Sequence, residues 1–221
     1  MKIILSICLI LFSCFSSNAQ LRLGIKAGYN NAWADYRNPD GLIKHNITAF
    51  QVGVLGEVKI RKMLLRTNIL FNQKGNYVDN GQEILDAGRQ STYRINYLEG
   101  NILVGYKFSL GRVAGIAFAA GPFIAKGISG TEKGSGSSLA GVYLIDRKIK
   151  FSDTEQSDNS TAYLRPIDYG IDINVTANFK KLFLYVNYGK GLASRSTSSD
   201  YYANQKPRNS VLSAGLGFYF F

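Results

Sequence analysis

The strongest constraint on the fold of this chain is an alternation of apolar and polar residues with a period of two. In the segment 167–179 every odd position is apolar or aromatic, and every even position is polar or Gly. The segment 21–29 repeats this pattern. Because successive side chains of a β-strand point to opposite faces, each segment predicts a strand with one apolar and one polar face. No segment shows a convincing helical period, so the sequence predicts an all-β protein.

Eight such segments follow one another along the chain. The predicted strands are 21–34, 47–60, 63–77, 91–108, 113–127, 163–179, 182–194 and 209–221. Short turns at 61–62, 109–112 and 180–181 alternate with long loops at 35–46, 78–90, 128–162 and 195–208. This arrangement is typical of an antiparallel up-and-down transmembrane β-barrel. The loop 128–162 is rich in Gly and Ser at 134–138 and apolar at 142–145, which fits either a strand extension or a mobile segment.

Alternation alone also fits a soluble barrel such as a lipocalin, so the composition of the polar faces has to decide. These faces carry mainly Gly, Asn, Thr and Gln with a few charges of both signs, whereas a soluble surface would be rich in unpaired charges. Charges inside a narrow eight-stranded barrel have to pair across a lumen that side chains fill. The expected lumen charges are Arg22, Lys26, Glu57, Lys59, Arg66, Glu99, Lys107, Asp168 and Asp172. Glu99 is expected to meet Arg22, Lys26, Arg66 or Lys107.

The last predicted strand carries a second, more specific pattern. Residues 213–220 fit polar-x-Gly-x-x-aromatic-x-aromatic, the terminal-strand signal that the outer-membrane insertion machinery reads. Gly215, Phe218, Phe220 and Phe221 are the expected signal residues. Phe218 and Phe220 should face lipid, and the strand should pair with the first strand, because an open edge would leave backbone groups unsatisfied in the bilayer.

The N-terminus has the composition of an export signal. Lys2 precedes an apolar run at 3–15, and Ser17-Asn18-Ala19 offers small residues for cleavage before Gln20. The run is shorter than the ~20 residues that span a bilayer as a helix. We therefore predict a signal peptide at 1–19 and a barrel domain at 20–221. A lipobox-like sequence at 11–14 leaves an alternative open, in which Cys14 is acylated.

Several classes of site are disfavoured by the sequence. The formal charge of +11 raises the question of nucleic acid, but no nucleic-acid motif accompanies it and export argues against that partner. The single histidine, His45, makes a His-dependent metal site unexpected. The acidic group Asp153, Glu155 and Asp158 lacks the Gly and terminal Glu of a calcium loop. We expect no catalytic, cofactor or metal site.

Short motifs in the predicted strands resemble one family of barrels. They are LGIKAGYN at 23–30, YLE at 97–99, ILVGYKF at 102–108, GPF at 121–123, DYG at 168–170 and YVNYG at 185–189. On these motifs the chain resembles the PorT-like outer-membrane β-barrel proteins of Bacteroidetes-type bacteria. The resemblance implies an eight-stranded barrel like OmpA and OmpX, with one branch of the family tied to protein secretion and gliding. Gly100-Asn101 replaces the Ile-Pro that usually follows Leu-Glu in the fourth strand of that family.

These features favour a non-enzymatic integral protein of the Gram-negative outer membrane. Its role would be structural, or binding and adhesion through the long loops. The expected partners are outer-membrane lipids, the barrel insertion machinery, and an unknown surface ligand or secretion-complex proteins. One alternative is a narrow transport conduit or a component of a secretion or gliding complex. Another is an enzyme acting on lipid, which would require His45 beside Ser91 or Ser196 at the rim.

Overall fold

A computed structural model describes residues 19–37, 43–79, 89–111, 113–138, 141–153, 161–197 and 206–220. Within them the chain forms strands β1 (Ala19–Asp35), β2 (Ile43–His45), β3 (Ile47–Ile60), β4 (Met63–Asp79), β5 (Arg89–Leu110), β6 (Ala114–Ser138), β7 (Gly141–Phe151), β8 (Thr161–Leu164), β9 (Ile167–Phe179), β10 (Leu182–Gly191) and β11 (Arg208–Tyr219). In this part of the chain no helix is long and apolar enough to cross a membrane. The predicted leader up to residue 18, with Cys8 and Cys14, lies outside the described residues, as do Asp40, Glu155, Asp158 and Phe221.

Eight of these strands close into a ring. Its order is β1, β3, β4, β5, β6, β9, β10 and β11, and each strand is antiparallel to both neighbours. β11 pairs with β1 from Gly24↔Tyr219 to Asp35↔Arg208, so the first and last strands of the ring are joined. The prediction of an eight-stranded antiparallel barrel is confirmed.

Tight turns connect the strands at one end of the barrel, which we call the turn end. Arg61 and Lys180 open two of these turns with φ of 55° and 51°. A two-residue hairpin needs a positive φ at this position because its twist then matches that of the flanking strands. The longer connections all lie at the opposite end, which we call the loop end.

The outside of the barrel is an apolar band. Outward positions of β1 carry Leu21, Leu23, Ile25, Ala27 and Tyr29, four of them large apolar residues that are exposed. Eight residue steps at ~3.3 Å each span about 26 Å along the strand, close to the height of the apolar band of membrane barrels. Toward the loop end the outward residues of β1 and of its neighbours β3, β4 and β5 become polar, as at Asn31, Thr48, Gln73 and Asn96.

Beyond the apolar band, several strands continue as a sheet. This sheet includes much of the segment 128–162, for which the sequence fitted either a strand extension or a mobile loop. β5 pairs with β4 as far as Asp79↔Gln90 and with β6 as far as Arg89↔Gly136, and β7 returns along β6. The segment 128–162 is therefore mainly a strand extension. From 131 to 136 both edges of β6 have strand partners, which keeps this segment extended. We call 43–45, 72–79, 89–97, 127–138, 141–151 and 161–164 the outer sheet.

Two strand boundaries differ from the prediction near Pro166. The predicted strand 163–179 is divided, because β8 ends at Leu164 and β9 begins at Ile167. Proline has no N–H and a fixed φ, so Pro166 cannot continue a regular ladder. β8 instead pairs with β7 in parallel, from Lys148↔Thr161 to Phe151↔Leu164. This parallel pair lies outside the antiparallel ring.

The β7 and β8 segments pack across the loop end of the lumen. Ile149, Ala162 and Leu164 are buried in one apolar cluster with the inward-facing Tyr97 and Phe123 of the barrel. Gly127 permits this packing, because a Cβ there would lie 2.2 Å from the ring of Phe151. The mouth of the barrel is thus covered by apolar side chains.

Candidate functional site

The lumen near the turn end holds a cluster of charges around Glu57, whose side chain is fully buried. Arg66 Nη2 lies 2.6 Å from Glu57 Oε2, and Lys107 Nζ lies 3.1 Å from Oε1. The Tyr219 hydroxyl donates a hydrogen bond of 2.9 Å to Oε2. Both carboxylate oxygens are therefore paired, as a buried charge requires. Glu57, Arg66 and Lys107 were all predicted as lumen charges.

The middle of the lumen is held mainly by amides. Asp172 accepts hydrogen bonds from Asn101 Nδ2 at 2.7 Å and from Asn187 Nδ2 at 3.1 Å. Lys26 Nζ lies 4.1 Å from the ring centroid of Tyr185, a cation–π contact. The two predicted lumen charges here, Lys26 and Asp172, thus make these contacts with neutral groups.

A third cluster lies toward the loop end and corrects one expectation. Glu99 faces the lumen, but the described cation that pairs with it is Lys74, at 2.7 Å, and not Arg22, Lys26, Arg66 or Lys107. Lys74 also lies 3.7 Å from Asp168. Its ammonium group is 4.2 Å from the ring centroid of Phe123. One buried lysine thus joins two carboxylates and an aromatic ring.

Lys74 was missed by the sequence reasoning, although the alternation contained the signal. The inward residues of β4 are at even positions, including Arg66 and Asn68, and the same parity continued along the predicted strand 63–77 reaches Lys74. The alternation of β4 alone would have been enough to predict that Lys74 faces the lumen. Its two acidic partners required the tertiary structure, because Asp168 lies on β9, which is not adjacent to β4.

Hydrogen bonds cross the lumen between strands that are not neighbours. Arg66 Nη1 on β4 donates to Asn174 Oδ1 on β9 at 2.6 Å. Asn209 Nδ2 on β11 donates to the Tyr97 hydroxyl on β5, the opposite strand of the ring, at 3.1 Å. Side chains can bridge opposite walls only where they fill the space between them, so the lumen is occupied at both heights.

The remaining predicted lumen residues lie nearer the turn end. The guanidinium of Arg22 is 5.4 Å from the ring centroid of Tyr219. Lys59 occupies an inward position two residues before the turn at 61–62.

The predicted insertion-signal residues of β11 separate into two environments. Phe218 and Phe220 face outward and are exposed, with ring centroids 6.1 Å apart. Gly215 lies where β11 meets β1, and a Cβ there would come 2.2 Å from the Ala27 carbonyl oxygen. Gly215 is thus required for packing in the folded barrel. Recognition of these residues by the insertion machinery stays a prediction, and Phe221 lies outside the described residues.

A further buried carboxylate joins strands of the outer sheet. Glu132 on β6 lies 2.6 Å from Arg89 Nη2 and 2.5 Å from Arg147 Nη2. Ser91 Oγ and the Tyr93 hydroxyl each donate to its Oε1 at 2.9 Å. Burial raises the pKa of Glu132, but the hydrogen bond and charge of Arg89 and the charge of Arg147 outweigh burial, so the pKa lies below its usual value. Glu132 therefore joins β5, β6 and β7 as a charged group.

Of the groups considered for catalysis, His45 and Ser91 have other partners. His45 on β2 packs against Tyr77, with ring centroids 5.5 Å apart. Ser91 donates its hydroxyl to Glu132. Ser196 is buried. Among the described residues no group of three or more His, Cys, Asp or Glu side chains is placed to hold a metal ion.

A family model decides the identity of this closed barrel. The model of the outer membrane protein β-barrel domain matches residues 15–195. The chain belongs to this family. The protein is therefore an integral β-barrel of the outer membrane, and in such barrels short turns face the periplasm while longer loops face outward. No curated protein matches the chain.

Solved structures similar to this outer-membrane barrel are distant in sequence. Ail, the attachment invasion locus protein of Yersinia pestis, is 10% identical, with a TM-score of 0.40 over 90% of this chain and 98% of Ail. Neisserial surface protein A is 13% identical, with a TM-score of 0.39 over 89% of this chain and 96% of that protein. An outer membrane channel from Pseudomonas putida F1 is 10% identical, with a TM-score of 0.25 over 90% and 95% of the two chains.

Proposed function

We propose that the protein is a non-conducting, non-enzymatic outer-membrane barrel whose outer sheet binds a ligand at the cell surface. The observation that carries this proposal is the contrast between the two parts of the barrel. Side chains bridge opposite walls of the lumen and an apolar cluster covers its mouth, whereas β4 to β7 extend well beyond the apolar band. A transport route would need an open lumen, whereas a binding surface needs only the strands that extend beyond the apolar band.

The β6–β7 hairpin supplies the part of the outer sheet that is best suited to binding. Val142 and Leu144, next to its tip, are 77% and 85% exposed, and Tyr143 between them is also exposed. These side chains lie beyond the membrane band, so they face water. Exposed apolar groups in such a position favour contact with another molecule, because binding removes their surface from water.

The edge of β7 offers a second means of recognition. Of the strands that the structure describes, β8 pairs with β7 only from Lys148 to Phe151, so residues 142–147 have a strand partner on the β6 side alone. A free edge can accept an extended segment of another protein through main-chain hydrogen bonds. We therefore propose a protein ligand that pairs with this edge and covers Val142 and Leu144.

Conductance tests the closed lumen. The purified protein in planar bilayers should pass no resolved single-channel current, because ions cannot pass the Arg66–Asn174 and Asn209–Tyr97 contacts without breaking them. Steady ohmic currents of porin size would exclude this part of the proposal and favour a transport conduit.

Site-specific cross-linking tests the binding surface. A photoreactive amino acid at Val142 or Leu144 in intact cells should give a discrete protein adduct, while the same residue at the lipid-facing Leu216 should not. Adducts with lipid alone, or the same adducts from all three positions, would contradict a ligand at the hairpin.

The finer family assignment is also a proposal. The motifs at 121–123 and 185–189 support a PorT-like barrel from a Bacteroidetes-type bacterium, and such a relationship would make a secretion or gliding complex the alternative function. A deletion strain separates the two functions. A surface-binding protein should leave secretion and gliding normal, whereas their loss would favour the secretion complex.

The processing of the chain is proposed on the leader sequence alone. Cleavage after Ala19 would give a mature protein that begins with Gln20. Intact-mass measurement of the membrane protein should show this N-terminus. A chain that begins with a diacylated Cys14 would establish the lipoprotein alternative.

A further inference from the structure

A cleft of about 210 Å³ opens on the barrel near the loop ends of β1, β10 and β11. It is lined by Asp35, Tyr36, Arg37, Lys190, Lys206 and Arg208. Four of these side chains are cationic, and of the acidic residues that the structure describes only Asp35 lines the cleft. The cleft therefore carries a strong positive potential.

The strand register places this cleft on the outside of the barrel. Asp35, Lys190 and Arg208 continue the outward-facing alternation of their strands, and Asp35 pairs with Arg208 across β1 and β11. These residues are not part of the lumen charge clusters. Their outward positions direct the cleft toward the surrounding membrane and not toward the centre of the barrel.

The height of the cleft corresponds to the lipid headgroups. Two residues below Asp35 and Lys190 on their strands are Trp33 and Tyr188, whose ring centroids are 6.2 Å apart. Below Tyr188 the outward surface is apolar, at Val186 and Leu212, while Asn31 lies below Trp33. Trp and Tyr prefer the boundary between hydrocarbon and water, so cationic groups directly above them meet the headgroup layer.

Asp35 organises the cleft without neutralising it. Its Oδ2 lies 2.5 Å from both Lys190 Nζ and Ser210 Oγ. These two donors stabilise the ionised form of the Asp35 carboxylate. Asp35 is thus charged at neutral pH and balances Lys190. Among the described residues no carboxylate forms an ion pair with Arg37, Lys206 or Arg208, so these three cations face an external anion.

We propose that this cleft binds the phosphate group of an anionic glycolipid in the outer leaflet. Guanidinium groups pair with phosphate oxygens through two parallel hydrogen bonds, and an ammonium group supplies a compact third charge. The acyl chains of the same lipid would lie along the apolar surface below Tyr188, at Val186 and Leu212. A soluble anion would gain nothing from that adjacent surface, which is why the position of the cleft favours a lipid.

Lys206 supports a dedicated site. It adopts a φ of 44°, in the left-handed region that is unfavourable for a residue with a Cβ, and it does so outside the tight turns of the barrel. Such a conformation needs compensation from its surroundings, and strained residues are concentrated at binding sites.

Lipid retention by the full protein tests this proposal. The wild type is reconstituted with phosphatidylcholine and lipid A, extracted in mild detergent, and its bound lipid is counted by native mass spectrometry. A second reconstitution uses dephosphorylated lipid A. The test variant is Arg37→Gln/Lys206→Gln/Arg208→Gln. The matched control, Arg61→Gln/Lys180→Gln/Lys181→Gln, removes the same number of charges at the turn end.

The wild type and the control should retain phosphorylated lipid A at least about tenfold better than the dephosphorylated form, and the test variant should lose this preference. Equal retention of both lipids by the wild type would overturn the proposal, as would equal losses in the two triple variants. Displacement of lipid A by millimolar inorganic phosphate would show a site for a soluble anion instead. The heat-modifiable gel shift of each variant reports whether it is folded.

Discussion

Removal of the charge on Glu57 is the most direct test of the buried lumen network. This carboxylate lies between Arg66 and Lys107 and also accepts the Tyr219 hydroxyl. Glu57→Gln keeps the size of the side chain but exchanges one acceptor oxygen for a donor NH₂ group. Two buried cations then lose their counter-charge, and at least one of them faces a donor.

The expected cost follows from the burial of the pair. Breaking a buried ion pair by neutralising one partner costs about 3–5 kcal/mol, because the other charge stays desolvated. The side chains of Glu57 and Arg66 are 0% and 4% exposed, so the upper part of this range applies. Lys133 and Asp146, 3.6 Å apart on the hairpin, are 66% and 73% exposed. Asp146→Asn should therefore cost less than about 1 kcal/mol.

Urea unfolding of the barrel in lipid vesicles measures both costs. Trp33, the single Trp of the chain, reports folding by its fluorescence. The double variant Glu57→Gln/Arg66→Gln should lose about 1–3 kcal/mol less unfolding free energy than the two single variants lose in sum, because both charges are then absent. A loss below about 1 kcal/mol for Glu57→Gln would refute the reasoning, since it would mean that water screens the pair as at an exposed site.

Three further predictions concern assembly and the outer sheet. Phe218→Ser/Phe220→Ser should lower insertion into the outer membrane, whereas Val142→Ser/Leu144→Ser should not; a normal heat-modifiable band for the first variant would contradict the terminal signal. Gly215→Ala should lower the midpoint of thermal unfolding even with both Phe residues intact, because its Cβ would clash with β1; an unchanged midpoint would show that β1 and β11 can move apart at no cost. Because the pKa of Glu132 is lowered in the fold, its stabilisation is present at neutral pH and is lost as the pH falls through the acidic range. Amide exchange in β6 and β7, corrected for its intrinsic pH dependence, should therefore show increased opening at low pH in the wild type but not in Glu132→Gln.

Local alternation was sufficient to predict the barrel strands. The predicted strand 47–60 agrees with β3, and the predicted strand 209–221 agrees with β11 to within two residues. Their side-chain phase was also predictable, since Phe218 faces outward and Tyr219 is buried. A membrane barrel makes this inference reliable, because a shift of one residue would move every charge into the lipid.

The outer sheet was harder to infer because its strands are not fixed by local preference. Residues 134–138 are Gly and Ser, which have little intrinsic tendency to form a strand. They are extended because β7 pairs with all of them on one side and β5 pairs with 134–136 on the other. The rim cleft was also missed, since its cations come from 37, 190 and 206–208 and only closure of β11 on β1 brings these segments together.

The sequence by itself determined which residues face inward and which face lipid. That choice depends only on the two-residue period of each strand and on which of its faces is polar. It did not determine which inward charges meet. Lys74 pairs with Glu99 on the next strand but also approaches Asp168 on a strand that is not adjacent. The second contact depends on the stagger of all eight strands, which is set only when the ring closes. Closure converts a local alternation into specific contacts across the lumen, and no single strand carries that information.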